Sequence, residues 1–248
     1  MTGKQLIIFD LISTLTNAGP RYARAFGEVC QQFGVTPPED EDVLGMLGNK
    51  NLKEITNHFA GSLADDTKQE FMAVCNTACD AMLFNLNWIE RLYDGAYDLL
   101  ASLHADGYQL GIFTGTRKDS AESQFHYHNI NKFFNPDYIR AKDNERDGMI
   151  HNAQLKTLQL SSIVEKFKLD GGDEAAVLVV GDSESDFYAA KELGLDFIGF
   201  TMSEHHKEKL AAAGAEIIID NYQDFPDLKA VAPYRPPLKN AVSQLKNL

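Results

Sequence analysis

Cysteine is scarce in this chain: Cys30, Cys75 and Cys79 are three in 248 residues, an odd number. That excludes the disulfide framework of a small secreted domain and points to reduced thiols. Cys75 and Cys79 stand four apart on one helix face, but no His or further Cys completes a zinc set nearby, so the pair reads as packing. Positive charge is short as well. Lys and Arg number 23 against 36 Asp and Glu, a formal charge of −13. Nucleic acid and anionic membrane surfaces both need a basic patch, so neither is an expected partner. A small anionic ligand would have to be met by local positive charge. Long hydrophobic runs are missing too. No stretch approaches the roughly 20 apolar residues that span a bilayer, and the N-terminus lacks a basic segment leading into an apolar stretch with a small-residue cleavage site. What remains, 44% hydrophobic and 24% charged, is the composition of a soluble globular protein with a sizeable core, expected in the cytoplasm as one domain plus an insertion.

The chain divides into two kinds of segment. Short apolar runs at 6–9, 110–113, 177–180, 197–200 and 217–219 end in polar or Gly-rich turns and suit strands buried on both faces of a parallel sheet. Helical patterns at 96–106, 119–128, 152–166, 186–193 and 204–213 alternate with them, which predicts a doubly wound α/β sheet. From about residue 17 to 93 the pattern is helical without a convincing strand, at 21–33, 42–46, 52–59 and 66–84. A helical insertion after the first strand, rejoining the sheet near Asp94-Gly95, accounts for this. Four prolines punctuate 226–248, which is expected to pack over the surface with a short final helix.

Ligands of an open parallel sheet bind beyond the carboxyl ends of its strands, and four chemical positions fall there. Asp10 closes the first strand and Thr114-Gly115-Thr116 closes the second. Gly181-Asp182-Ser183-Glu184-Ser185-Asp186 follows 177–180, and Lys156 stands near a helix start. Two carboxylates four apart across a strand-to-helix turn can converge on a hard cation such as Mg²⁺. The Thr-Gly-Thr segment offers a hydroxyl and backbone N–H groups suited to a phosphate oxygen. Arg117 is a further candidate for an anionic substrate group. His126 and His128, two apart, do not share a helix face, and His205-His206 is expected on a surface loop or at a helix start.

In this order, the segments resemble the haloacid dehalogenase superfamily of aspartate-nucleophile hydrolases over nearly the whole chain. Phe9-Asp10-Leu11-Ile12-Ser13-Thr14-Leu15-Thr16 resembles the first motif, usually Asp-x-Asp-Gly-Thr-Leu; Thr114-Gly115-Thr116 the second; Lys156 the third; and Gly181-Asp182-x-x-x-Asp186 the fourth. Asp94-Gly95-Ala96-Tyr97-Asp98-Leu99-Leu100 resembles the return from a helical cap. The resemblance implies a Rossmann-like α/β core over 1–16 and 94–225, a cap domain over 17–93 and a C-terminal extension over 226–248. It implies Mg²⁺ held by Asp10, the main-chain carbonyl of Ile12 and Asp182, with Asp186 in support. Asp10 would attack phosphorus, while Thr114, the Gly115 amide and Lys156 hold the phosphoryl oxygens. The substrate would be a small phosphorylated metabolite, turned over by a monomer or homodimer, with specificity in 17–22 and 45–53.

Ile12 departs from that pattern, since the family's phosphatases carry there the Asp that protonates the leaving alkoxide and activates water. A carbonyl ligand is indifferent to its side chain, so Ile12 leaves cation binding intact and removes proton transfer. Three readings follow: a phosphatase of substrates with stable leaving groups, a phosphonoacetaldehyde hydrolase-like enzyme using Lys50 or Lys53, or an inactive ligand-binding protein. Ser13, where the family prefers Gly, is a second departure in the same loop.

Overall fold

A computed structural model describes residues 5–39, 43, 46, 52–85, 89–143 and 152–228. Six strands form one parallel sheet: β1 (Leu6–Phe9), β4 (Gln109–Arg117), β5 (Ile139–Lys142), β6 (Val177–Gly181), β7 (Asp196–Phe200) and β8 (Ile218–Ile219). Their order is β5-β4-β1-β6-β7-β8. β1 therefore lies centrally, with β4 on one side and β6 on the other, and the strand order reverses around it. In such sheets this switch point opens a crevice at the carboxyl ends of the strands.

Alternation along β1 explains why its four residues are all apolar. Ile7 and Phe9 join one buried cluster, with Leu110 and Ile112 of β4, Leu178 and Val180 of β6, Leu100 and Leu103 of α4 (Ala96–Ala105), and Phe125 of α5 (Lys118–Tyr127). Leu6 and Ile8 point the other way, into Val177 and Val179 and the buried face of α6 (Asn152–Leu169), where Leu160, Ile163, Val164 and Phe167 recur at helical spacing. Ala189 and Ala190 of α7 (Glu184–Glu192) close this second layer. Both faces are covered, so a polar residue in these strands would lack solvent on either side.

Between β1 and β4 the chain is mainly helical: α1 (Gly19–Gln32), α2 (Leu52–Phe59) and α3 (Asp65–Asn85). Pro20 lies in the first turn of α1, where no N–H is needed. Ala23, Phe26, Val29 and Cys30 of α1 meet Ile55, Phe71 and Cys75 in a third apolar cluster, separate from the two sheet faces. Cys30 and Cys75 are buried and not joined in a disulfide, in keeping with packing thiols.

Several sequence expectations need correction. β5 was not foreseen, because Ile139-Arg140-Ala141-Lys142 lacks an apolar run; it is an edge strand, and charges there protect a sheet edge. The insertion is not strand-free. β2 (Thr16–Asn17) pairs antiparallel with β3 (Arg91–Leu92), so the outgoing and returning chains are tied side by side. β4 runs on through Arg117, with a register irregularity between Phe113 and Arg117, instead of stopping at Phe113. His205 and His206 stand at the start of α8 (Glu204–Ala213), one of the two expected positions, with His205 exposed and His206 buried. The proposed final helix, Lys50 and most of 42–46 lie outside the described residues, as do the side chains of Lys53 and Cys79. Among the described residues no helix is long and apolar enough to cross a membrane.

Where the helical insertion leaves and rejoins the sheet, a buried polar cluster forms. Arg21 of α1 and Glu90, just before β3, make an ion pair at 2.8 Å with side chains 1% and 0% exposed. Thr16 donates its hydroxyl to Glu90 Oε1. The Gln124 amide of α5, oriented so that unlike groups face, donates to the same carboxylate at 3.1 Å and accepts from Arg21 Nη1 at 3.1 Å. Burial raises the Glu90 pKa, while Arg21 and Thr16 oppose the rise.

Candidate functional site

β1 and β6 end side by side, and the Asp10 amide extends their pairing by donating to the Val180 carbonyl at 2.9 Å. Their last residues therefore launch Asp10 and Asp182 from adjacent positions. Gly181 allows the following turn to close: a Cβ there would lie 2.5 Å from Asp186 Cβ, so any side chain would displace Asp186. Ser183 caps α7, and Asp186 returns the bond, with its Oδ2 accepting from the Ser183 amide at 3.0 Å and hydroxyl at 2.7 Å. Asp10, Asp182 and Asp186 are all buried, and one oxygen from each lies within 4.8 Å of the others.

Lys156 enters this cluster from α6. Its ammonium lies 3.3 Å from Asp10 Oδ2, contacts Asp186 Oδ1 and sits 5.5 Å from the centre of the Phe113 ring. Burial by itself would depress its pKa, but Asp10, Asp186 and Asp182 outweigh that, and the lysine stays charged. Burial also lifts the Asp10 carboxyl to about 6, with Lys156 pulling down and Asp186 pushing up. Asp182 is raised well above the usual carboxylate range by burial, then by Asp186 and Asp10. With all three carboxyls ionised against one ammonium the cluster would carry two net negative charges, which a divalent cation would offset.

The oxygens themselves locate where such a cation fits. Both Asp186 oxygens are occupied, one by Lys156 and one by Ser183. Asp182 Oδ1 accepts from Thr14 Oγ1 at 3.0 Å. Asp182 Oδ2 is buried and, among the described residues, has no hydrogen-bond partner. A buried carboxylate oxygen without a donor is expensive unless something positive meets it, and an all-oxygen set suits a hard cation.

The remaining foreseen residues are brought to the same end of the sheet. Thr114 is buried at the close of the regular part of β4, and its Oγ1 accepts from the Thr116 amide at 3.1 Å. Gly115 is exposed. Arg117 is exposed and pairs with Asp119 at 2.8 Å. Ile12 is half-buried against the first apolar cluster, alongside Leu92 and Tyr93. Three residues were missed. Gln159, one turn beyond Lys156, donates to the Thr114 carbonyl at 2.9 Å, and its i+3 spacing was a usable signal. Thr14 lies within the first motif but carried no role. Tyr222 donates to the Thr14 carbonyl at 2.6 Å from 208 positions away, which no local pattern could reveal.

Ser13 adopts φ +63°, a left-handed conformation, and its hydroxyl is buried without a partner among the described residues. For a residue with a Cβ that conformation costs about 1–2 kcal/mol. Glycine would give back about 0.4–1 kcal/mol through its freer unfolded chain. Ser13→Gly is therefore expected to raise stability by on the order of 1 kcal/mol, read from the urea midpoint; a lower midpoint would contradict the strain.

Known proteins resemble this chain over most of its length. The haloacid dehalogenase-like hydrolase family matches residues 7–200. A phosphoglycolate phosphatase of Vibrio parahaemolyticus is 23% identical over 231 residues, spanning 92% of this chain and 97% of its own. One from Vibrio cholerae is 25% identical over 224 residues, spanning 89% and 95%. Among solved structures, a predicted phosphoglycolate phosphatase from Haemophilus somnus superposes with a TM-score of 0.72 at 22% identity, covering 93% of this chain and 99% of that one. With the matched stretch running from β1 to the end of β7 and enclosing every carboxylate of the cluster, the chain belongs to the haloacid dehalogenase-like hydrolase family.

Proposed function

We propose that this protein is a Mg²⁺-dependent phosphatase of a small organic phosphate, with Asp10 as nucleophile. The observation that carries the reading is the buried cluster of Asp10, Asp182, Asp186 and Lys156 with its unpartnered Asp182 oxygen. The relatives named above are phosphoglycolate phosphatases, which supports a small phosphorylated metabolite as the substrate class.

Asp10 attacks phosphorus, the P–O ester bond breaks, and the leaving group departs as an alkoxide or a more stable anion. Water then cleaves the aspartyl-phosphate at phosphorus, releasing phosphate and restoring the carboxylate. Lys156 has two duties in this scheme. By opposing the effect of burial it keeps Asp10 ionised near neutral pH, and it balances charge on the phosphoryl oxygens. Thr114 and the Gly115 amide hold those oxygens, and Gln159 fixes the Thr114 main chain. Bound Mg²⁺, held by Asp10, the Ile12 carbonyl and Asp182 with Asp186 in support, would supply further neutralisation of phosphoryl charge. Residues 17–93 act as a cap that excludes water, and the stretch 17–22 beside the β2–β3 pair contributes to substrate choice.

With no carboxyl at position 12, the leaving group must take its proton from elsewhere or need none. The expected preference is for aryl and acyl phosphates over alkyl phosphates. The test is phosphate release from a panel of acyl, aryl and sugar phosphates, phosphoglycolate and phosphonoacetaldehyde, with Asp10→Asn and a chelator as controls. Release that vanishes in both controls supports the reading. Release untouched by Asp10→Asn refutes it, and silence across the panel with a cation bound favours a non-catalytic binder.

A further inference from the structure

Tyr222 takes no part in the chemistry above, yet its hydroxyl is aimed at the nucleophile loop. It lies in the short helical turn Tyr222–Asp224 after β8 and is buried. Its ring stacks on Phe200, the last residue of β7, with centroids 4.2 Å apart and planes within 3°. Gly95, at φ +79°, lies against it; a Cβ there would come 3.3 Å from Tyr222 Cβ. The ring is thus held between the end of the sheet and the returning chain, and only its hydroxyl reaches onward.

That hydroxyl donates to the Thr14 main-chain oxygen at 2.6 Å, and Thr14 Oγ1 donates to Asp182 Oδ1 at 3.0 Å. The loop between has its own closure, with the Ser13 amide bonded to the Thr16 carbonyl at 2.8 Å and the Leu15 amide to the Leu11 carbonyl at 2.9 Å. Neither bond involves the Thr14 carbonyl, so Tyr222 alone among the described contacts holds that oxygen. We propose that Tyr222 is a positioning residue for the cation site, acting through Thr14 to hold Asp182 Oδ1 and so leave Oδ2 presented to a cation.

The physical reason is rotational. A carboxylate with neither oxygen pinned turns about its side-chain bonds and spends part of its time misdirected. Pinning Oδ1 from Thr14 fixes the direction of Oδ2, and the pin is only as firm as the Thr14 backbone. Burial and the carboxylates of Asp182 and Asp10 hold the Tyr222 phenol well above its usual pKa, so it remains a donor across the working range. Hydrogen bonds of this supporting kind change metal affinity by about 10- to 100-fold when removed.

This inference rests on the cation-dependent reading, and the test separates the two. Mn²⁺ binding to the full chain, without substrate, is measured by calorimetry for the wild type, Tyr222→Phe, Thr14→Val, the double variant and Thr14→Ser, each checked by urea unfolding. Tyr222→Phe retains the stacked ring and is expected to weaken Mn²⁺ binding about 10-fold. Thr14→Val should weaken it at least as much, Thr14→Ser should restore it, and the double variant should match Thr14→Val, because the two groups act in series. Unchanged affinity in Tyr222→Phe, or fully additive losses, overturns the inference while leaving the cation site standing. Should Tyr222→Phe fail to fold, unchanged affinity in Thr14→Val refutes it equally. Absence of Mn²⁺ binding in the wild type removes the cation reading itself, before any variant is compared.

Discussion

Ile12→Asp is expected to raise phosphate release from alkyl phosphates by about 10²–10⁴-fold, the usual worth of a positioned general acid–base. That corresponds to about 3–5 kcal/mol of barrier. The reasoning runs through the loop rather than through the cluster. Asp10, Lys156 and Asp182 already stand together, so what the loop lacks is a proton for an alkoxide and a base for the attacking water. Aryl and acyl phosphates leave as stable anions and should gain least in the first step, so the alkyl-to-aryl ratio of kcat/KM is the sharper readout. Ile12→Asn supplies a similar shape without a transferable proton and should show no comparable gain. The substitution also removes an apolar side chain packed against the first apolar cluster, so some loss of stability accompanies it, measurable by urea unfolding. A folded Ile12→Asp protein with no gain on any ester would mean that position 12 does not face a phosphoryl-transfer site.

Glu90→Ala is expected to cost about 3–5 kcal/mol of folding stability, the penalty for breaking a buried ion pair from one side. Domains of this kind are stable by roughly 5–15 kcal/mol in total, so the variant stands near the edge of folding at ambient temperature. Glu90 is 0% exposed and takes the Arg21 guanidinium, the Thr16 hydroxyl and the Gln124 amide together. Alanine removes the acceptor for all three at a point no solvent reaches. The double replacement Arg21→Met with Glu90→Leu removes both charges and fills similar volume, and it is expected to cost less than Glu90→Ala, the remaining loss coming from the Thr16 hydroxyl and Gln124 amide left without their acceptor. Urea midpoints of the two variants decide the matter: comparable losses in both would mean that the volume of these side chains matters rather than their charge. The cluster joins α1, β2, the residue before β3 and α5, so the apolar double variant is also informative for activity. Full stability with lowered kcat would assign the pair to orienting the helical insertion over the sheet.

Much of the sheet was readable in advance because a strand buried on both faces must be apolar throughout. β1 was foreseen residue for residue, and β6 and β7 to within one. Helices at 52–59 and 204–213 were likewise exact in their bounds, because apolar spacing there coincides with clear breaks. β5 and β3 escaped for the opposite reason. Each is short, polar and at an edge, and each is a strand only because a neighbour offers hydrogen bonds. Asp10, Thr114, Lys156, Asp182 and Asp186 were legible as chemistry-bearing residues at the ends of elements. Their roles in turnover await the measurements proposed above.

Residue identity and local periodicity alone were enough for the buried strands, the family and an isoleucine at position 12. Only the tertiary structure decided which oxygens are occupied and which are not. Asp182 and Asp186 are equivalent on paper, yet Ser183 and Lys156 occupy both oxygens of Asp186 while Asp182 keeps one without a partner. The same holds for the bond from Tyr222 to Thr14 and for the buried Arg21–Glu90 pair. Hydrogen bonds and ion pairs act over about 3 Å of space, without regard to separation along the chain, and so become visible only when folding has brought distant segments together.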